Sequence, residues 1–70
     1  MQIVKINGVT LQKYEHVGNV TAYGFDNIDD DKINDVYLEL CEHYNKIDRY
    51  FNYSIFNNNV SGYFRCSNNK

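Results

Sequence analysis

Three consecutive residues near the middle of the chain, Cys41, Glu42 and His43, are of types that perform nucleophilic or metal chemistry. A nucleophilic cysteine needs a histidine within hydrogen-bond reach, and a zinc site needs both side chains to converge on the ion. These residues lie in a stretch of helical periodicity, where side chains two residues apart point about 200° away from each other. Cys41 and His43 therefore cannot share a proton or a metal ion, and the sequence carries no nucleophile-elbow, phosphate-loop or triad signature. We expect no enzymatic activity.

A cluster of four carboxylates lies earlier in the chain, within six residues, at Asp26, Asp29, Asp30 and Asp31. A calcium-binding loop needs alternating oxygen ligands, a glycine at its sharp turn and a glutamate at the twelfth position, and this spacing provides none of them. Aspartate before a helix accepts hydrogen bonds from free backbone N–H groups and suits the positive end of the helix dipole. We interpret the cluster as a loop that ends in a helix cap, with a weak Mg²⁺ or Ca²⁺ contact as the alternative. No bound metal or cofactor is expected.

The charge of the chain is unevenly distributed. Residues 26 to 42 hold seven acidic side chains and one lysine, whereas the rest of the chain holds six basic and two acidic side chains. On a helical wheel four acids of the predicted helix fall within about 80° of arc, opposite its apolar stripe, and Leu38 lies beside them. The predicted partner-binding residues are Asp31, Asp35, Leu38, Glu39 and Glu42. The alternative is a helix face that is merely solvated.

A long amphipathic helix is predicted to carry this acidic face. Apolar residues recur at three- and four-residue spacing over about five turns, and no glycine or proline interrupts residues 30 to 51. The stripe consists of Ile33, Val36, Tyr37, Leu40, Tyr44, Ile47 and Phe51.

A three-stranded meander is predicted over residues 2 to 25. Asn7-Gly8 between apolar neighbours favours a type I′ turn, which pairs Ile6 with Val9 and Val4 with Leu11. A second turn at residues 17 to 20 has glycine in its first central position, as a type II′ turn prefers. The remaining expected pairs are Val17 with Val20, Glu15 with Ala22 and Tyr14 with Tyr23.

Strict alternation then places Lys13 and Glu15 on the apolar face of strand two, so we expect a bulge at Gly24 or near Lys13 to switch faces. Two further strands, Tyr53 to Phe56 and Val60 to Cys66, are predicted around the turn Asn57-Asn58-Asn59. The expected fold class is α+β: a single small βββαββ domain over residues 1–70, with an antiparallel sheet packed against one long helix.

The amino-acid composition restricts the classes of protein to which this chain can belong. With 43% hydrophobic residues the chain can build a core, and no apolar run approaches the ~18 residues of a membrane span. No secretion leader is recognisable at the N-terminus, so we expect a cytoplasmic protein without membrane contact in which Cys41 and Cys66 are buried or half-buried thiols. Abundant Asn, Tyr, Ile, Lys and Phe without Pro or Trp is typical of an AT-rich genome, such as that of a low-GC bacterium or its phages.

These features favour a small binding protein of the anti-defence or anti-CRISPR type, encoded by a phage or mobile element. Its acidic helix would block the basic, nucleic-acid-binding groove of a host protein. One alternative is a single-stranded nucleic-acid module, although the net charge of −2 argues against it. Its aromatic and basic residues would be Lys46, Arg49, Tyr50, Phe51, Tyr53, Tyr63, Phe64 and Arg65. The other is an assembly protein or homodimer that pairs through an exposed sheet edge.

Overall fold

A computed structural model of the chain describes residues 1–15, 18–54 and 57–68. Within these residues the strands are β1 (Gln2–Ile6), β2 (Val9–Glu15), β3 (Val20–Asp29), β4 (Lys46–Tyr53) and β5 (Asn59–Ser67), and helix α1 (Asp30–Cys41) lies between β3 and β4. They form one antiparallel sheet in the order β1-β2-β3-β5-β4. The predicted α+β class and element order are confirmed.

The turn between β1 and β2 has the predicted conformation. Asn7 and Gly8 both have positive φ, 50° and 80°, as a type I′ turn requires. Ile6 faces Val9 and Val4 faces Leu11, so the expected register is confirmed. The Asn7 side chain also donates a hydrogen bond to the backbone oxygen of Asp35 (3.2 Å), which ties this turn to the helix.

The predicted register between β2 and β3 is wrong by one residue. Tyr14 pairs with Ala22, and Glu15 pairs with Thr21. The expected pair Val17 with Val20 lies partly outside the described residues. The slip changes which side chains share a face, because neighbouring residues of a strand point to opposite sides.

The bulge expected at Gly24 or near Lys13 is wrong, because the described β2–β3 pairs run without a shift; a bulge lies further along β3 instead, between Phe25 and Ile28. Asn27 takes a left-handed conformation there (φ 55°), and its backbone N–H donates to the Ser61 hydroxyl at 2.9 Å. The same hydroxyl donates to the Asp26 carboxylate at 2.7 Å. A short polar network on the neighbouring strand therefore holds the bulge, and neither Gly24 nor Lys13 is part of it.

Helix α1 begins as predicted and ends ten residues early. The Asp29 carboxylate caps its first turn by accepting from the backbone N–H of Asp31 at 2.9 Å. Its buried face consists of Ile33, Val36 and Leu40. The predicted long helix is wrong, because α1 has 12 residues and the chain turns away after Cys41.

The last part of the predicted apolar stripe belongs to β4. Ile47 and Phe51 are four residues apart, a spacing that suits one face of a helix and equally one face of a strand. Eight residues of β4 pair with β5, and this pairing also packs both side chains on the core. Tertiary pairing therefore prevails over the local helical pattern. The strand predicted at residues 53 to 56 is therefore wrong in its bounds, since β4 ends at Tyr53, Ser54 is not part of a strand, and residues 55 and 56 lie outside the described residues. The strand predicted at residues 60 to 66 is confirmed as the central part of β5.

The core between the helix and the sheet is built around Phe64, which is fully buried. Its ring centroid lies 5.5 Å from that of Phe25, 5.1 Å from that of Phe51 and 6.2 Å from that of Tyr37. Phe25 and Phe51 also meet edge to face at 5.1 Å. In the sheet both of them face Gly62, so the two rings cover the backbone where β5 has no side chain.

We predict that Gly62→Ala destabilises the fold by roughly 1–3 kcal/mol, because an added Cβ would clash with the Tyr50 carbonyl oxygen and lie 2.8 Å from Phe51 Cα. Gly24→Ala is the matched control, since the nearest atoms to its Cβ would belong to Gln12, at 3.6 Å or more, which is ordinary van der Waals contact. Its effect should stay within about 0.5 kcal/mol. Urea denaturation measures both, and equal stability of the two variants would contradict the close approach at Gly62.

Candidate binding surfaces

The acidic helix face, defined as Asp31, Asp35, Leu38, Glu39 and Glu42, lies on the side of α1 away from the sheet. Asp31, Asp35 and Glu42 are exposed and Glu39 is half-buried. Glu42 follows the helix but keeps helical backbone angles (φ −75°, ψ −19°), so it continues the row for one residue beyond Cys41. The five predicted residues therefore share one surface although the helix is shorter than predicted.

Leu38 interrupts this charged surface with an apolar side chain that is 56% exposed. Among the described residues, no lysine or arginine forms an ion pair with an acid of this face, and the contact that this face does make is between His43 Nε2 and the Glu39 carboxylate, at 3.8 Å. The acids therefore keep their negative potential towards solvent, with an apolar centre beside them.

The side chains considered for chemistry do not converge. In the described part of the chain, no group of three or more His, Cys, Asp and Glu side chains is placed to hold a metal ion. Asp29 caps the helix and Asp26 accepts from Ser61, so two carboxylates of the aspartate cluster have local structural roles. Among the same residues, no helix is long and apolar enough to cross a membrane.

The two thiols have different surroundings. Cys66 is fully buried, and burial raises the pKa of its thiol to about 11. Cys41 is exposed, which contradicts the expectation that both thiols are at least half-buried. A hydrogen bond with the Cys41 side chain raises the pKa of the Tyr37 hydroxyl.

A second surface is the open sheet face, which is the side of the sheet opposite α1. Two rows of paired residues cross it from strand to strand. The first row, from β1 to β4, is Ile3, Gln12, Gly24, Tyr63 and Tyr50. The second row, from β2 to β4, is Tyr14, Ala22, Arg65 and Asp48.

A groove of about 830 Å³ runs along the middle of the open sheet face. Its floor is β3, which contributes the smallest side chains of both rows, Gly24 and Ala22. Tyr14 borders it on one side and Tyr63 on the other. Tyr63 is stiffened by stacking on Tyr50, with ring centroids 4.9 Å apart and planes inclined by 19°.

The structure divides the aromatic and basic residues of the nucleic-acid alternative between two faces. Phe64 and Phe51 pack in the core, and the Arg49 guanidinium lies over the Tyr37 ring at 4.8 Å on the helix side. Tyr50, Tyr63 and Arg65 remain on the open sheet face. The groove could not be predicted from the sequence, because its lining residues come together only in the correct β2–β3 register. That register places Tyr14 beside Ala22.

We predict that a thiol reagent such as Ellman's reagent modifies one cysteine per folded chain at pH 8, because Cys41 is exposed while Cys66 is buried and protonated. Denaturant should release the second thiol. Cys41→Ser provides the control, since the folded variant should show no fast-reacting thiol. Rapid modification of both cysteines in the folded wild type would contradict the burial of Cys66.

Comparison with known proteins gives no relative from which a function could be transferred. No protein-family model, no curated protein and no solved structure matches this chain. The assignment of a function therefore depends on the two surfaces just described, the acidic helix face and the open sheet face.

Proposed function

We propose that this chain is a small, non-enzymatic inhibitor that binds a host protein through its acidic helix face. Its target is a basic groove that normally holds nucleic-acid phosphates, and its action belongs to the anti-defence or anti-CRISPR type, in the cytoplasm of a host cell invaded by a phage or mobile element. The observation that carries the proposal is the row of exposed carboxylates around Leu38 without a paired lysine or arginine among the described residues.

The dimensions of the row support a phosphate-like role. Glu42 lies eleven positions after Asp31, which at 1.5 Å per helical residue is a rise of about 16 Å. This length matches a few consecutive phosphates of one nucleic-acid strand. A rigid helix also presents its carboxylates at fixed spacing, so little side-chain and backbone entropy is lost on binding compared with a flexible acidic segment.

The mixture of charge and apolar surface supports a protein partner. Carboxylates at a rim accelerate encounter with a basic surface, while a desolvated apolar side chain contributes contact energy that salt does not screen. Leu38 supplies such an anchor beside Asp35 and Glu42. Partner binding should accordingly weaken with salt without being abolished by it.

The test compares wild type with the triple variant Asp35→Lys, Glu39→Lys, Glu42→Lys. Stability should change by less than about 0.5 kcal/mol per site, because the three side chains lie outside the core. Affinity for the partner should fall about 100-fold or more, since positive charge then faces positive charge. Leu38→Ala should weaken binding with little salt dependence.

The partner is first captured from lysate of an AT-rich bacterium on immobilised wild type and identified by mass spectrometry. Binding constants are then measured for the purified pair. The control variant is Asp35→Asn, Glu39→Gln, Glu42→Gln, which removes the charges without reversing them and should give an intermediate affinity. A single-stranded oligonucleotide should compete with the inhibitor for the partner. A folded triple-lysine variant that binds as tightly as wild type would refute the proposal.

A further inference from the structure

The open sheet face concentrates the exposed apolar surface of the molecule. Seven large hydrophobic side chains are exposed in the described residues, and four of them stand in the two cross-strand rows of this face: Ile3, Tyr14, Tyr50 and Tyr63. They are 40–56% exposed. Helix α1 covers only the other side of the sheet, so this face has no covering element among the described residues. An apolar patch of this kind is typical of an interaction site.

The relief of the open sheet face is complementary to itself. The stacked rings of Tyr50 and Tyr63 form a ridge over β4 and β5, and the small residues Ala22 and Gly24 form a trough along β3. Ridge and trough lie side by side on one surface. A two-fold axis that lies in the plane of the interface, parallel to β3 and between ridge and trough, would therefore place the ridge of each copy in the trough of the other.

The charges of the open sheet face are also complementary to themselves. Arg65 stands directly across from Asp48 in the register, yet it forms no ion pair with any described carboxylate. Asp26 lies at the end of the groove. A surface with both signs can pair with a copy of itself, whereas a nucleic-acid surface needs a consistently positive potential.

We propose that the open sheet face is a dimer interface, in which a second copy of this chain packs sheet against sheet. The inserted ridge would bury Tyr50 and Tyr63 against Ala22 and Gly24 of the other copy, and Arg65 would meet a carboxylate of that copy. The two helices then lie on the outside of a four-layered assembly. This site is separate from the acidic helix face, and neither proposal depends on the other.

The size of the face sets the expected strength of the dimer. Five strands at a spacing of about 4.8 Å, each about seven residues long, give a flat projected area of roughly 19 × 23 Å. This is smaller than the ~800 Å² that each partner buries in a standard stable complex, so we expect a reversible dimer with a dissociation constant of roughly micromolar order.

The experiment is sedimentation equilibrium of the full chain from about 1 to about 500 μM, a range that brackets a micromolar constant. Wild type should shift from monomer to dimer. Gly24→Leu fills the trough at a position where the atom nearest to a Cβ is in the Gln12 side chain, at 3.6 Å, and Arg65→Glu reverses the charge at that position. Each variant should weaken the dimer at least tenfold. Leu38→Ala, on the opposite side of the molecule, should leave it unchanged.

Three results would overturn the proposal. The first is a wild type that remains monomeric throughout the range. The second is a dimer that persists in Arg65→Glu, or in a Gly24→Leu variant shown by circular dichroism to be folded, because the copies would then pair elsewhere, for example along β1 or β4. The third is a monomeric protein that binds oligothymidine in a gel shift and loses this binding in Gly24→Leu. If Gly24→Leu does not fold, Arg65→Glu alone decides whether the two copies pair through the open sheet face or along an edge strand.

Discussion

Burial of the Phe64 ring is the interaction on which the rest of the structure depends. Three further aromatic rings, from β3, β4 and α1, lie within 6.2 Å of it, so one side chain connects three elements that are distant in the sequence. Each such aromatic pair contributes about 0.5–1.5 kcal/mol beyond the burial of its area. In a chain of 70 residues, which has little core to spare, the loss of this cluster would release both the helix and the edge strand β4. Gly62 belongs to the same part of the core, because it lies between Phe25 and Phe51 in the register and a Cβ there would clash with the Tyr50 carbonyl oxygen of β4.

The sequence predicts correctly those elements whose conformation is determined by a few neighbouring residues. The Asn7-Gly8 turn and the Asp29 cap were predictable because positive φ and side-chain capping each depend on a few neighbouring residues. The length of α1 was not predictable in this way. Tyr44, Ile47 and Phe51 continue the helical spacing, and only pairing with β5 shows that the last two belong to a strand. The predicted β2–β3 register is wrong for a related reason, since a turn motif with one glycine does not determine loop length.

The two candidate surfaces differ in how far the sequence could reveal them. The acidic helix face depends on spacing within one helix, and the early end of α1 left it intact because Glu42 keeps helical backbone angles. The open sheet face depends on residues from all five strands. Its smallest side chains, Ala22 and Gly24, have no distinctive character in the sequence, and they become a groove only when Tyr14 and Tyr63 are placed on either side. A groove between strands can be predicted only when the strand register is known, whereas a charged face on one helix can be predicted from residue spacing alone.

The position of β5 has a consequence for the moment at which this protein can become folded. In the sheet β5 lies between β3 and β4, although it follows both in the sequence, so β4 has no partner strand and β3 pairs only with β2 until residues 59 to 67 have left the ribosome. The β1–β2 hairpin and the helix can form earlier, but Phe64 is still missing from their shared core. Closing the loop between β3 and β5 costs chain entropy before any burial rewards it. The sheet is therefore completed only after β5 has emerged, and a chain stopped before β5 would expose the unpaired edges of β3 and β4 to aggregation.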